Sequence, residues 1–283
     1  MENYQHILFP YAYNILGTAE DAKDAIQDVL YKFLTAGKEG IEDPKNYLIR
    51  SVINQSITIK NKRKKLQLGD MWLPEPVDTE EADTNIKLNE IVSYSLLILL
   101  EQLNAKERAV FILKEAFAYS HEEIADTLSI TVDGSRKLLS RAKQKIDQTH
   151  KPATTPKSES ITPSVLDKFM HAIRSRDIKT LENVLAEDIA FYADGGKSLK
   201  VFAKTCTGVP EVADLLTLVF HKYDTGFTIK TGEVNHQPAL LYYDGDVLKK
   251  CQVFGIELET NKIFQVSNVL DPEKLRSISN GLK

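Results

Sequence analysis

The spacing of the apolar residues changes along the chain and divides it into helical and strand-forming parts. From His6 to about Leu66, and again from Val92 to Gln148, apolar residues recur every three to four positions, the spacing that gives a helix one buried face. After residue 163, two short helical patterns precede several runs of strand-forming residues. The pattern predicts a multi-domain protein in which all-α domains come first and an α+β domain follows.

Two segments without periodicity set the expected domain boundaries. Residues 67–92 contain two prolines and, from Asp70 to Glu90, seven acidic residues with a single lysine. Residues 152–162 are rich in proline, threonine, serine and lysine, which is typical of a linker. We therefore expect helical domains at 1–66 and 93–151, linkers at 67–92 and 152–162, and an α+β domain at 163–283.

Composition excludes several classes of protein. The chain has no run of 18 apolar residues, and its first residues lack the pattern of a secretory signal. Cys206 and Cys251 lack metal-ligand spacing, and a disulfide between them is not favoured in a reducing compartment. We expect a cytoplasmic protein that contacts no membrane and holds no metal or cofactor.

The net charge of −4 hides two strongly basic segments. Five of the six residues from Lys60 to Lys65 are basic, and Gly134 to Ile146 contains five basic residues and no acidic one. Because phosphate contacts are local, such clusters matter more to nucleic-acid binding than the net charge. The distribution indicates two separate DNA-binding segments.

The second basic segment has the pattern of a helix-turn-helix. Ser120 and Glu123 have capping-box spacing at the start of a short helix, and Thr131 can cap the next helix. The second helix can then enter the major groove. Gly134 within it should cost about 1 kcal/mol relative to alanine. The predicted DNA-contacting residues are Ser135, Arg136, Lys137, Ser140, Arg141 and Lys143.

An early helix has an acidic face. Asp21, Asp24 and Asp28 are spaced three and four residues apart and lie with Gln27 on one side of the helix. This face suits a basic partner helix, although a merely solvated acidic face is the alternative.

These segments together resemble the sigma-70 family of transcription initiation factors. The match to region 4 is carried by Leu100-Glu101-Gln102-Leu103, Glu107-Arg108-Ala109-Val110-Phe111, Tyr119-Ser120-His121-Glu122-Glu123-Ile124-Ala125 and Ser140-Arg141-Ala142-Lys143. Residues 21–30 resemble the part of region 2 that binds polymerase, and residues 46–65 resemble its helix for promoter melting and minus-ten recognition. No counterpart of regions 1 and 3 is present, so the chain looks like the compact extracytoplasmic-function (ECF) class.

The resemblance implies partners and site residues. The partners are core RNA polymerase, through its beta-prime clamp helices and beta flap, and promoter DNA. Asp21, Asp24, Gln27 and Asp28 would bind the polymerase. The region 2 residues expected to contact DNA are Asn54, Gln55, Ser56, Lys60, Lys62, Arg63, Lys64 and Lys65.

The first linker and the last domain resemble one ECF subgroup, whose members carry a WLPEP motif and a SnoaL-like cone domain of the nuclear-transport-factor-2 type. Residues 72–76 match that motif fully. The subgroup's DGGGK and NPDKL motifs have near matches, the first one glycine short and the second with Asp271 in place of asparagine. We expect an intramolecular regulatory contact in which the linker docks on these two motifs. Its residues are Trp72, Leu73, Pro74, Glu75, Pro76, Asp194, Gly195, Gly196, Lys197, Asp271, Pro272, Lys274 and Leu275.

The sequence favours an alternative sigma factor with a fused regulatory domain, and not an enzyme. Candidate catalytic groups in the last domain form no recognisable pair by spacing: His171, His221, His236, Asp194 and Asp244. We therefore assign no catalytic residue. The alternative is a one-component helix-turn-helix regulator whose cone domain senses a ligand or catalyses a reaction.

Overall fold

The computed structural model describes residues 4–35, 41–64, 72–79, 90–147, 163–196 and 206–279. The chain forms two compact units. The helical unit comprises Met1–Gly69, Ala82–Val92 and Leu96–Pro152, and the sheet unit comprises Asp70–Glu81, Ser93–Ser95 and Ala153–Lys283. Predicted sigma regions 2 and 4 therefore share one unit, whereas the WLPEP linker belongs to the other.

The helices of the first half follow the predicted apolar spacing. Gly17, with φ of 79°, lets the chain reverse before the second helix, and the Thr18 hydroxyl donates to the Asp21 carboxylate at 2.7 Å. Thr18 therefore lies at the start of α2, as the threonine three residues before Asp21 in the sequence suggests. The helices are α1 (Tyr4–Leu16), α2 (Ala19–Thr35), α3 (Pro44–Lys64), α4 (Tyr94–Leu100), α5 (Ala105–Glu115), α6 (His121–Leu128) and α7 (Val132–Asp147).

A buried arginine joins the two halves of the helical unit. The Arg108 side chain on α5 has no exposed surface; its Nε donates to the Asn14 carbonyl of α1 at 2.8 Å, and it pairs with Glu101. Lys60 of α3 donates to the same carboxylate at 3.1 Å. Burial, together with the charge of Arg108, lowers the pKa of Lys60 to about 7. The ring of Tyr11 stacks on Phe117, just after α5, with centroids 3.9 Å apart, and both α1 and α3 pack on α5.

The sheet unit has the predicted α+β cone architecture. One six-stranded sheet has the order β2-β1-β6-β5-β4-β3, in which β1 and β6 are parallel and the other neighbours are antiparallel. Gly245, with φ of 59°, lies in the turn between β4 and β5. The elements are α8 (Pro163–Ser175), α9 (Ile178–Val184), β1 (Leu185–Asp194), β2 (Cys206–Thr207), α10 (Val209–Val219), β3 (Thr228–Val234), β4 (Gln237–Asp244), β5 (Val247–Glu257), β6 (Lys262–Val269) and α11 (Pro272–Ser279).

Three features of the sheet unit were not predicted. The pair of residues in β2 is too short for a periodic signal, and the closing helix α11 was treated only as a motif. A π-helical turn, Phe220–Asp224, also continues α10. Both cysteines are free thiols. Within the described part of the chain, no helix is long and apolar enough to span a membrane.

The inner face of the sheet carries a chain of buried polar side chains among apolar ones. Lys250 on β5 pairs with Asp224 of the π-helical turn, and its ammonium lies 4.0 Å from the centre of the Tyr242 ring. The Tyr242 hydroxyl donates to Gln252 at 2.8 Å, and Gln252 donates to Asn268 at 2.9 Å. Burial raises the pKa of Asp224 and lowers that of Lys250, while their pairing opposes both shifts. The pair therefore holds the π-helical turn against the sheet.

Replacing Asp224 with alanine should destabilise the sheet unit strongly, because Lys250 would be left buried without a counterion. We expect a loss of about 3 kcal/mol or more in the free energy of unfolding. The measurement is denaturant unfolding followed by circular dichroism. The matched control is Asp214→Ala, at an exposed position of α10. Equal stability of the two variants would contradict this role of the pair.

Candidate functional site

The helix-turn-helix is built by the predicted caps. The Ser120 hydroxyl accepts the Glu123 N–H at 3.1 Å, and the Glu123 carboxylate accepts the Ser120 N–H at 2.6 Å. Thr131 caps α7 by accepting the Gly134 N–H at 2.9 Å. Ser129 takes a left-handed φ of 52°, which redirects the chain between the helices. The capping prediction is confirmed.

The outer face of α7 is basic and exposed. A groove of about 600 Å³ runs between this face and the start of α6, and it is lined by His121, Arg136, Ser140 and Lys143 among others. Lys143 also pairs with Glu115 at 2.8 Å, and Lys137 with Asp133 at 3.0 Å. Both pairs are at least half exposed on the lysine side, so they cost little to break. Of the α7 residues predicted to contact DNA, those exposed on this face are Arg136, Lys137, Ser140, Arg141 and Lys143.

Two expectations about α7 need correction. Ser135 was predicted to contact DNA, but it has no exposed surface and its hydroxyl lies 2.9 Å from Nδ1 of His121. It joins α6 to α7 and cannot reach a ligand. Gly134 was expected to weaken the helix interior, yet it lies in the first turn, where a Cβ would lie 3.0 Å from the capping hydroxyl of Thr131. Glycine thus leaves room for the cap.

Helix α3 uses several predicted DNA-contacting residues for internal contacts. Ser56 is fully buried and donates to the Val52 carbonyl, and Lys60 is committed to Glu101 and the Leu16 carbonyl. Neither side chain can reach DNA in this state, which corrects the prediction for both. The cause is the packing of α3 on α1 and α5, which single-sequence periodicity does not show.

The remaining α3 residues are nearer the surface. Asn54 donates to the Thr127 carbonyl at 3.1 Å, Gln55 donates to Asp28 at 3.2 Å, and Lys62 is exposed. Arg63 pairs with Asp21 at 2.5 Å. Two predicted positions, the Lys64 side chain and Lys65, lie outside the described residues.

The predicted polymerase face of α2 is exposed and continues into two apolar residues. Asp24, Gln27 and Asp28 are exposed, and Asp21 is half-buried. Within the next two turns, Tyr31 is 70% exposed and Leu34 is 60% exposed. Exposed apolar side chains beside carboxylates favour a protein partner over a merely solvated face. Sequence reasoning missed Tyr31 and Leu34, although the spacing was visible: Tyr31 follows Asp28 by three residues, and Leu34 follows Tyr31 by three.

The linker, defined here as residues 72–79, is anchored to the sheet unit at its first residues. The Leu73 N–H donates to Asp194 at 2.8 Å, and Lys274 of α11 donates to both the Leu73 carbonyl and Asp194 at 2.6 Å. The Lys274 ammonium lies 4.4 Å from the centre of the Trp72 ring. One buried lysine therefore binds the linker backbone, the linker aromatic and the carboxylate that closes β1.

The far end of the linker is held by the turn between β3 and β4. Asn235 exchanges two hydrogen bonds with the backbone of Val77, at 2.9 and 3.0 Å. The Thr79 N–H donates to the Glu233 carbonyl at 3.2 Å, and its hydroxyl donates to the Glu233 carboxylate. In the strand order of the sheet, β1 lies next to one edge and β3 forms the other edge. The linker begins at the end of β1, beside Asp194, and reaches the end of β3, so it runs across the width of the sheet.

The two prolines suit this docking because of their backbone chemistry. Proline has no N–H, so Pro74 and Pro76 can be buried without needing an acceptor. Their carbonyls do need donors: the Tyr94 hydroxyl donates to Pro74 at 2.7 Å, and the Ser277 hydroxyl donates to Pro76 at 2.7 Å. The buried side chains of the linker include Leu73, Glu75 and Val77.

Four side chains that hold the linker were not predicted: Tyr94, Asn235, Glu233 and Ser277. Asn235 and His236 both have left-handed φ angles, 48° and 60°, which mark a two-residue hairpin turn. An asparagine at that turn was a visible signal for the hairpin. Its contact with Val77, 158 residues away in the chain, left no trace in a single sequence.

The two near-match motifs of the sheet unit meet each other. Gly196 has φ of 61°, and a Cβ there would lie 2.5 Å from the Asp271 carboxylate. Asp271 in turn caps α11 by accepting the Glu273 N–H at 3.0 Å. Glycine is therefore required at 196 by both conformation and space. Of the other motif residues, Gly195 and Leu275 are buried, Pro272 is exposed at the start of α11, and Lys197 lies outside the described residues.

Comparisons with known proteins agree with this geometry. Residues 95–146 match the family model described as Sigma-70, region 4. The chain is 25% identical over 270 residues to the probable ECF RNA polymerase sigma factor SigI of Mycobacterium tuberculosis, covering 93% of this chain and 89% of that protein. It is 24% identical over 285 residues to SigJ of the same organism, covering 95% and 90%. The chain is therefore similar to ECF sigma factors over nearly its whole length.

The fold shared with a sigma factor of known structure extends over nearly the whole chain. The crystal structure of M. tuberculosis SigJ matches with a TM-score of 0.76 at 21% identity, covering 99% of this chain and 98% of that one. The sigma-factor relatives support a transcription initiation factor, and they give no support to the one-component regulator considered above. Among the described residues, no group of three or more histidine, cysteine or acidic side chains could hold a metal ion.

Replacing Gly196 with alanine should loosen the linker, because the new methyl group would displace Asp271 and the start of α11. The matched control is Gly245→Ala, which has nearly the same positive φ but nothing within 4 Å of the new Cβ. Trp72 is the sole tryptophan, so its fluorescence reports on the linker directly. We expect a red-shifted emission in Gly196→Ala alone, because a loosened linker exposes Trp72 to water. Identical spectra in the two variants would contradict the proposed clash between the new methyl group and Asp271.

Proposed function

We propose that this chain is an ECF sigma factor that binds core RNA polymerase through the α2 face and directs it to promoters, while the sheet unit regulates it in cis through the docked linker. Helix α7 engages the upstream promoter element, and α3 engages the minus-ten element. The α2 face seats on the beta-prime clamp helices and region 4 on the beta flap. We retain the proposed domains at 1–66, 93–151 and 163–283 with their two linkers.

The observation that carries the regulatory part is the burial of the linker on the sheet unit. Hydrogen bonds bind its backbone at Leu73, Pro74, Pro76 and Val77. These residues lie between predicted regions 2 and 4, so docking shortens the free chain that connects the two regions. A tethered domain acts at an effective concentration of order millimolar, so modest contacts suffice.

The observation that supports polymerase binding is the composition of the α2 face. Carboxylates and an amide lie beside Tyr31 and Leu34, and all of these but Asp21 are exposed. Charged groups at the rim of an interface steer and orient a partner, while apolar groups supply buried area. This arrangement fits a basic helical partner such as the one proposed.

Transcription on genomic DNA tests the proposal as a whole. Purified core polymerase is combined with the full-length chain, and the 5′ ends of the products are sequenced. We expect a discrete set of start sites that core enzyme alone does not produce. Failure to produce such starts, or failure to associate with core enzyme, would refute the proposed function.

Trp72→Ala should change transcription from the strongest of these promoters by at least about twofold, because loss of the contact with Lys274 shifts the linker between docked and free states. Binding of α7 to DNA should be unaffected. Run-off transcription measures the output, and the affinity for a promoter duplex measures DNA binding by α7. The matched control is Tyr223→Ala, an exposed aromatic of the sheet unit. Unaltered output would rule out regulation through Trp72.

Asp24→Arg should weaken assembly with core polymerase by about tenfold or more, since it reverses a charge facing a basic partner. Titration of labelled core enzyme measures the dissociation constant. Glu42→Arg, with the same charge change at an exposed position outside α2, is the control. If both variants assemble as tightly as the wild type, the α2 face is not the polymerase interface.

A further inference from the structure

Helix α6 of the helix-turn-helix is capped at its C-terminal end by side chains from α3. The last carbonyls of a helix lack partners within it and carry partial negative charge. The Asp126 carbonyl accepts from Arg50 at 2.7 Å, and the Thr127 carbonyl accepts from Asn54 at 3.1 Å. Residues predicted for region 2 thus complete a helix of region 4.

The contact is strengthened by an ion pair. Nη1 of Arg50 lies 2.8 Å from the Asp126 carboxylate, and Nη2 approaches the other carboxylate oxygen at 3.3 Å. The side chains are 43% and 71% exposed, so water competes for the pair and its strength is modest. An interaction of this kind can close and open readily, unlike the pairing of Glu101 with Arg108, whose side chain has no exposed surface.

The α3 residues of this contact lie on the helix proposed to engage the minus-ten element. Arg50 and Asn54 are four residues apart, hence on one face of α3, and the Asn54 amide also donates to the Arg50 carbonyl at 2.9 Å. Guanidinium and amide groups are donors that suit phosphate oxygens and base edges. While they cap α6, these donors are occupied.

We propose that Arg50 and Asn54 form a latch with two alternative partners: the end of α6 when the free protein is closed, and promoter DNA when it is open. Arg50 is thereby an additional promoter-contacting residue. The inference rests on the proposed role of α3 in DNA binding. Opening requires separation of α3 from α6. The free protein, with its latch closed, therefore binds promoter DNA more weakly than the same protein with its latch open.

The test uses the full-length chain with Asp126→Asn, which weakens the latch without touching the DNA-facing residues. Glu122→Gln removes one negative charge from the same short helix and serves as the control for general electrostatics. Hydrogen exchange is measured at the amides of Ser129 and Ile130, which close the end of α6. We expect protection factors about two- to fivefold lower in Asp126→Asn alone, the range of an exposed ion pair.

Promoter affinity supplies the second measurement, using the duplex selected by transcription. Asp126→Asn should bind it about two- to fivefold more tightly than wild type, and Glu122→Gln should not. The promoter affinity of Arg50→Ala should be lower than that of Asp126→Asn, because Arg50→Ala loses the DNA contact as well as the latch. A merely structural role for Arg50 would make the two variants equal and would overturn the inference.

The two proposals fail separately. Unchanged protection and unchanged affinity in Asp126→Asn would overturn the latch, even if polymerase assembly and promoter selection succeed. If no promoter is selected, the proposed function fails, whereas the exchange measurement on the free chain still decides whether Arg50 and Asp126 hold α6.

Discussion

The sheet unit depends on the ion pair between Asp194 and Lys274. Both side chains are almost fully buried, and a buried charge is tolerated only when it is paired and hydrogen-bonded. Each therefore needs further partners: Asp194 accepts from the Leu73 and Gly196 amides, and Lys274 donates to the Leu73 carbonyl. If the linker left this site, Asp194 would lose its hydrogen bond from the Leu73 N–H, and Lys274 would lose its hydrogen bond to the Leu73 carbonyl. The linker is thus part of the structure that stabilises the domain, as well as a connection between helices.

The helical unit also contains an ion-pair cluster in which charged side chains share partners. Arg108, Lys60 and Glu101 form a largely buried cluster in which one carboxylate pairs with two cations. The cluster joins α1, α3 and α5, and thereby withdraws a basic residue from the surface that was expected to meet DNA. The basic residues that were expected to contact DNA consequently fall into two groups: those of α7, which remain exposed, and those of α3, several of which are engaged within the protein.

Periodicity and local capping were sufficient to predict the helices and most strands. The helix-turn-helix followed from Ser120, Glu123 and Thr131, because capping is decided by residues within four positions of one another. The same local information failed at Ser56, Lys60 and Ser135. Whether a polar side chain faces water or a neighbouring helix depends on packing between elements that are distant in sequence. The contacts of Asn235 with Val77 and of Ser277 with Pro76 were invisible for the same reason.

The sequence by itself determined the class of domains, the sigma-factor resemblance and the identity of the linker motif, because these depend on residue type and short-range spacing. Only the tertiary structure decided which cations are exposed, which partners hold the linker backbone and how the end of α6 is capped. Those outcomes arise from hydrogen bonds between groups dozens to two hundred residues apart. Their formation depends on how whole elements pack, and one-dimensional patterns carry no measure of that.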